Sequence, residues 1–199
     1  TAESSGAKVA IVDKGPLGGL CILRGCMPTK AILRSSDILA LMHRAKEFGL
    51  FASNLSADLA LIHDRKTRLV NEFASYRIEQ LQDPKFSLIE EHASFLSPHD
   101  LNVGGGRVLS AKNFIIATGS TVAEFAVPGL SEAGFVTSDD VLELREAPES
   151  IIVLGAGPVA VELAQFFCRI GTKTTLIQRS DHILSKGDED LARPVETRF

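Results

Sequence analysis

The sequence predicts an α/β fold, and two features of its patterning carry that prediction. Short apolar runs at 8–12 (KVAIV), 112–117 (KNFIIA) and 151–154 (IIVL) have the length and composition of buried parallel strands. Glycine-rich turns follow the first and third of these runs, at 15–19 and 155–157, and each leads into a helical pattern.

The first run ends at Asp13, and the helix after its turn starts near Met27. Helical periodicity continues through 31–48 and 59–81 with a break near 49–56, and Asp83-Pro84 closes it. Strand-like runs at 86–89, 93–96, 101–103 and 107–109, with Gly104-Gly105-Gly106 between the last two, predict a meander. The run at 112–117 ends at Thr118-Gly119-Ser120. A connection then runs between Val127-Pro128-Gly129 and Ala147-Pro148-Glu149, and within it Thr137-Ser138-Asp139-Asp140 has the form of a helix cap ahead of 141–145. From Ile151 the pattern is strand 151–154, helix 158–170 and strand 173–177, with another helix beginning after Asp188. The division expected is a first domain over 1–122, a connection over 123–149 and a second domain over 150–199.

Composition narrows the function classes. The chain has 199 residues, 45% hydrophobic and 23% charged, which is ordinary for a soluble globular protein. A net charge of -4 with scattered basic residues argues against nucleic acid or anionic lipid as partner. No apolar stretch reaches the roughly 20 residues of a membrane span, and no signal-peptide pattern opens the chain, so a cytoplasmic protein is expected. The opening Thr-Ala-Glu, in place of Met, reads as a processed, trimmed or partial chain. With 3 Cys it is no secreted disulfide scaffold, and Cys168, alone in an apolar helical pattern, reads as a buried small hydrophobe.

Gly155-Ala156-Gly157-Pro158-Val159-Ala160 has the G-x-G-x-x-A spacing of a dinucleotide-binding turn. Gly155 permits the tight turn, Gly157 lets a pyrophosphate approach the helix N-terminus, and Ala160 lets helix and strand pack closely. The flanking strands and helix supply the context that the motif needs; without it, a tight structural turn has the same spacing. Where an NAD site carries an acid at the end of the second strand, this chain has Gln178 and Arg179. A neutral amide tolerates a 2′-phosphate and a guanidinium suits it, which points to NADP; a solvated arginine at a strand end is the plain alternative.

The sharpest pattern is 18–30, GGLCILRGCMPTK. Cys21 and Cys26 flank a short segment, and Pro28 suits the first turn of a helix. At a helix N-terminus the Cys26 thiolate gains from the helix dipole and free N–H groups. Lys30, four residues on, adds positive charge on the same face. That is how a reactive thiol is built beside an exchange partner. An inert disulfide or half of a zinc site are the alternatives, although no second cysteine pair or close histidine pair completes a zinc set.

This segment resembles the signature G-G-x-C-x-x-x-G-C-x-P-[ST]-K of the class I pyridine nucleotide–disulfide oxidoreductases, the group of dihydrolipoamide dehydrogenase, glutathione reductase and mercuric reductase. KVAIVDK resembles the second strand of that family's FAD domain, FIIATGS its A-T-G segment, and VPGL with IIVLGAGPVAVELA the entry into its NAD(P) domain. The resemblance implies FAD- and NAD(P)-binding, Rossmann-like three-layer domains, both incomplete in this chain. It implies Cys21 as the interchange thiol and Cys26 as the charge-transfer thiol of a redox disulfide, and Lys30 near the flavin, paired with Glu162 in a buried ion pair between the domains. Asp13 would bind the FAD ribose; Gly18, Gly19, Ala93, Thr118, Gly119 and Ser120 would touch FAD. Gly155, Gly157 and Ala160 would take the NAD(P) pyrophosphate, with Gln178 and Arg179 at the ribose. No metal ligand is implied, and His43, His63, His92, His99 and His182 are expected in surface or structural roles. Leu20 stands where many members have a small polar residue, and Pro158 where some have an aromatic gate.

The function expected is an FAD-dependent NAD(P)H:disulfide oxidoreductase with a disulfide or dithiol substrate, homodimeric when whole. A non-catalytic nucleotide-binding fragment and a metal-reducing, mercuric reductase-like enzyme are the rivals. The family's first glycine-rich turn and its C-terminal His-Glu pair have no counterpart among these residues, so the chain by itself is expected to bind FAD weakly and to be inactive.

Overall fold

The computed structural model describes residues 2–123 and 126–199; Glu124 and Phe125, part of the expected connection, lie outside the described residues, as does Thr1. The chain divides into two compact units, residues 1–23 with 70–121 and residues 24–69 with 122–199.

In the first unit β1 (Ala10–Val12) pairs in parallel with β2 (Ser87–Ile89), Ile11 facing Leu88. Two flanking bonds lengthen this ladder, Asp13 N–H to the Ile89 carbonyl at 3.1 Å and Ser87 N–H to the Val9 carbonyl at 3.1 Å. The short helix α1 (Leu20–Leu23) follows the glycine turn. β3 (Ser94–Ser97), β4 (Asp100–Asn102) and β5 (Val108–Ser110) form an antiparallel meander, with Val103 buried at its turn.

Three expectations are corrected here. β2 leaves the meander for β1, where Leu88 and Ile89 gain a parallel neighbour. β1 is half-exposed rather than buried. Residues 112–117 form no strand: no described strand pairs with them, and without a ladder or a covering face Ile115 and Ile116 stand 89% and 72% exposed. Phe114 packs edge-on to Phe95 with ring centroids 5.1 Å apart.

The second unit holds α2 (Cys26–His43) and the first part of α3 (Leu59–Leu81). α2 ends sooner than its periodicity suggests. After Arg44 the chain makes a single 3-10 turn, Ala45–Phe48, which Gly49 closes in the left-handed conformation at φ 71°. α4 (Leu130–Ala133) and α5 (Ser138–Val141) follow. Thr137 caps α5 reciprocally with Asp140, as the sequence predicts, but the helix stops at Val141 instead of running to Arg145.

β6 (Ser150–Leu154), α6 (Pro158–Arg169) and β7 (Lys173–Ile177) make the expected unit, the strands parallel from Ser150↔Lys173 to Leu154↔Ile177. Pro158 opens α6, where its missing N–H costs nothing. α7 (Glu189–Glu196) is capped by Asp188, whose carboxylate accepts from Asp190 N–H.

Ile32, Leu59, Val141, Leu142, Leu163, Phe166 and Phe167 form the main core, which joins α2, α3, α5 and α6. The buried stripe of α6 is Val161, Leu163, Ala164, Phe166 and Phe167. Cys168 falls outside it in the last turn and is exposed, which corrects its reading as a buried residue.

Candidate functional site

In the first unit the glycine turn brings together several of the residues singled out from sequence. Asp13 ends β1 and is half-buried, and its Oδ1 accepts from Gly15 N–H at 2.8 Å, so the carboxylate is held by the turn it precedes. Gly18 adopts φ 132° and is buried, and a Cβ there would lie 3.2 Å from the Leu23 side chain. Gly19, at φ 82°, accepts from Leu23 N–H at 3.1 Å and so closes α1, which carries the exposed Cys21. Gly119, at φ 76°, sits against Leu20: a Cβ built on it would be 3.7 Å from the Leu20 Cβ. The turn at 18–20 and the exposed segment Thr118-Gly119-Ser120 are therefore neighbours, with the Leu20 side chain against Gly119. Ala93 is half-buried just before β3. The glycine backbone, open at Gly19, suits the close approach of a flat, phosphate-bearing ligand such as FAD.

In the second unit Cys26 is the first residue of α2 and is exposed. Its helix begins at Gly25 without a side-chain cap, and Thr29 returns both its N–H and its hydroxyl to the Gly25 carbonyl. Lys30 pairs with Glu162 of α6. The pair differs from expectation in two ways. Both residues belong to one compact unit, and the side chains are 57% and 35% exposed instead of buried. Solvent exposure then reduces the cost of removing one partner from the 3–5 kcal/mol of a buried pair to about 0–1 kcal/mol.

The α6 turn is open to an anion. Gly155, at φ 97°, donates its N–H to the Ile177 carbonyl at 2.7 Å and continues the β6–β7 ladder. Gly157 caps α6 with no side-chain acceptor, nothing stands within 4 Å of where its Cβ would be, and no acidic residue lies in the first helical turn. Free N–H groups at that end fit the pyrophosphate of a dinucleotide. Ala160 is half-buried one turn in. Gln178 follows β7 and its amide donates to the Ser180 carbonyl at 2.8 Å, while Arg179 beside it is exposed.

Two charged groupings escaped the sequence reading. Asp37 of α2 pairs with Arg169 of α6. Lys66 is buried on α3, where its ammonium reaches the Leu142 carbonyl at 2.7 Å and Glu143 Oε1 at 3.0 Å. His63, one turn earlier, is also buried, and neither ring nitrogen has a hydrogen-bond partner among the described residues. Burial first, and the Lys66 ammonium second, push its imidazole below the usual histidine range, against the pull of Glu143 and the Leu142 carbonyl. Asp64 faces Arg145 at 2.6 Å, which holds its carboxyl below the usual range. Opposite charges at equal spacing in two helices were the available signal for the first grouping. Nothing in the periodicity of 59–81 marks the second, because Lys66 pairs across 76 residues with a backbone carbonyl.

Among the described residues no group of three or more His, Cys, Asp or Glu could hold a metal ion, and no described helix is long and apolar enough to cross a membrane.

The model of the family described as pyridine nucleotide-disulphide oxidoreductase matches residues 1–199. Mercuric reductase of Staphylococcus aureus is 37% identical over 98% of this chain and 36% of its own length. Dihydrolipoyl dehydrogenase of Chlorobaculum parvum is 35% identical over 100% of this chain and 43% of its own. The chain thus spans well under half the length of these curated relatives. Among solved structures, the Cu(II) complex of the HOCl-induced flavoprotein disulfide reductase RclA from Escherichia coli superposes with a TM-score of 0.81 at 26% identity, over 99% of this chain and 42% of that one.

Proposed function

We propose that this chain, which belongs to the pyridine nucleotide-disulphide oxidoreductase family, is part of an enzyme that passes electrons from NAD(P)H through FAD to a Cys21–Cys26 disulfide and on to a disulfide or dithiol substrate. The observation that carries this reading is the Lys30–Glu162 pair, which ties the helix opened by Cys26 to the helix opened by the Gly155–Gly157 turn.

Bound flavin and nicotinamide supply the two-electron chemistry. The residues of the chain bind, orient and exchange. Gly157 and the first turn of α6 hold the nucleotide pyrophosphate, with Ala160 keeping the helix close to β6. Arg179, with Gln178 offering no negative charge, favours the 2′-phosphate of NADPH. Asp13, Gly18, Gly19, Ala93 and Thr118-Gly119-Ser120 line the FAD. Lys30, steadied by Glu162, would place its ammonium near the flavin. Two electrons and two protons convert the Cys21–Cys26 bond to two thiols. The Cys21 thiolate attacks the substrate disulfide and releases one substrate thiol, and the Cys26 thiolate then displaces the second and restores the Cys21–Cys26 bond. The whole protein works in the cytoplasm as a homodimer.

Identities of 35–37% to three mercuric reductases support a second reading, in which the reduced thiols pass electrons to a soft metal ion.

The full-length protein decides between them. The expected result is a flavin spectrum and NADPH oxidation driven by lipoamide or glutathione disulfide, lost by about a thousandfold or more in Cys21→Ser and Cys26→Ser. Arg179→Ala should selectively weaken NADPH use. Turnover with Hg(II) alone selects the metal reading. Absence of bound flavin, or turnover indifferent to both cysteines, overturns the proposal.

A further inference from the structure

α2 and α6 carry two ion pairs with the same sequence offset. Lys30 pairs with Glu162 and Asp37 with Arg169, each across 132 residues. Lys30 to Asp37 is two helical turns, as is Glu162 to Arg169, so the helices run in the same direction and keep one register over about 10 Å. The polarity reverses between the pairs: cation on α2 at the first, anion on α2 at the second. Between them the contact is apolar, with Ile32 of α2 and Phe166 and Phe167 of α6 in one buried cluster. Ser36, also buried on α2, turns its hydroxyl back to the Leu33 carbonyl and offers α6 no polar partner.

This arrangement selects against slippage. If α2 slid by two turns in one direction, Asp37 would meet Glu162; in the other, Lys30 would meet Arg169. Both shifts place like charges together, whereas two pairs of the same polarity would have allowed them. A shift of one turn in one direction brings Lys30 over Phe166 and leaves its charge unmatched. The apolar cluster supplies attraction but little register, since helix surfaces repeat every turn.

We propose that Asp37 and Arg169 are positioning residues that set the register of α2 on α6 and thereby hold Lys30 on Glu162, and Cys26 in place, for the electron transfer proposed above. The inference rests on that functional reading for its consequence, but not for its geometry. Asp37 and Arg169 touch no substrate in this scheme; they act through Lys30 and Glu162.

Two measurements on the full-length protein test it. The first is a double-mutant cycle in urea between Glu162→Gln and Arg169→Gln, which needs no flavin. Sites two turns apart are ordinarily additive, so a register clamp predicts that the combined loss differs clearly from the sum. Additive losses overturn the proposal. The second is the rate of flavin reduction by NADPH, with the long-wavelength absorbance of the reduced enzyme as a spectroscopic check on Cys26. Arg169→Asp should slow reduction by about tenfold and weaken that band, whereas Arg169→Lys, which keeps the polarity of the pair, should hold both to within about threefold. In a Glu162→Gln background Arg169→Asp should change the rate by less than about twofold, because the step it acts through is already lost. Equal effects in both backgrounds, or a loss with Arg169→Lys as large as that with Arg169→Asp, overturn the positioning role. If the unsubstituted protein binds flavin and reduces nothing, the functional reading falls, while coupling in the urea cycle still sustains the clamp.

Discussion

The β6–α6–β7 unit closes a parallel ladder from Ser150↔Lys173 to Leu154↔Ile177, whereas β1 and β2 pair only from Ala10↔Ser87 to Val12↔Ile89, and residues 112–117 pair with nothing described. Connection length explains little of this. The β1–β2 connection is roughly fourfold longer than the β6–β7 one, which costs about 1.2 kcal/mol more in closure entropy. Cover explains more. α6 lies on its sheet and sends Phe166 and Phe167 into a core shared with α2, α3 and α5. Burying a single phenylalanine is worth about 1.5–3 kcal/mol, so one such side chain outweighs the whole entropy difference. A parallel strand lasts where a helix covers it, and Ile115 and Ile116 have no such helix among the described residues.

The largest expected effect follows from that cover. Phe166 is fully buried and touches Phe167 edge-on, with ring centroids 5.3 Å apart. Phe166→Ala should cost about 3–5 kcal/mol, read as the shift in urea midpoint times the slope. A loss under about 1 kcal/mol would mean that the α6 core is loose, and the contrast between the two regions would lose its cause.

How far each region could be read from sequence follows the same division. The β6–α6–β7 unit was legible almost to the residue because its strand, glycine turn, helix and second strand are contiguous, and each boundary has a local cause: Gly155 at positive φ, Pro158 in the first turn, Lys173 opposite Ser150. Thr137 and Asp140 were equally local. What failed was what depends on distant partners. KNFIIA has the composition of a buried strand, but composition does not supply a neighbour. By its pattern Phe86–Ile89 groups with the strands next to it in sequence, although its partner lies near the start of the chain. At the candidate site the glycines and the Lys30–Glu162 pairing were readable from motifs, while Asp37, Arg169 and Lys66 were not, since each takes its role from an element far away in sequence.

A smaller effect should appear with pH in the well-covered unit. His63 is buried beside Lys66, with Glu143 near it and Arg145 and Asp64 at the rim, and burial holds its imidazole below the usual range. The unfolded chain, with an imidazole near the ordinary value of about 6.5, therefore takes up a proton before the folded one does. Stability is fully present above that value and declines as pH falls below it, until the folded form is protonated too. His63→Gln should flatten the part of the decline that begins below about pH 6.5 in urea midpoints. An unchanged slope would show that the carboxylates, held low by partners such as Arg145, account for acid sensitivity alone.

The smallest expected effect is the most discriminating between the two regions. Ile115 is isoleucine in a run that has every mark of a core strand, yet it stands 89% exposed. If cover decides stability, truncating it removes almost nothing from water-excluded contact. Ile115→Ala in this chain should then change stability by no more than about 0.5 kcal/mol, against the 2–5 kcal/mol of a buried isoleucine. The measurement is the urea midpoint of Ile115→Ala beside that of Phe166→Ala under one set of conditions. A near-zero change at 115 with a large one at 166 places the stability of the chain in the α2–α6 core. A loss above about 2 kcal/mol at Ile115 would mean that residues 112–117 are buried in solution, and the division between a covered and an uncovered region would fail at the residue that defines it.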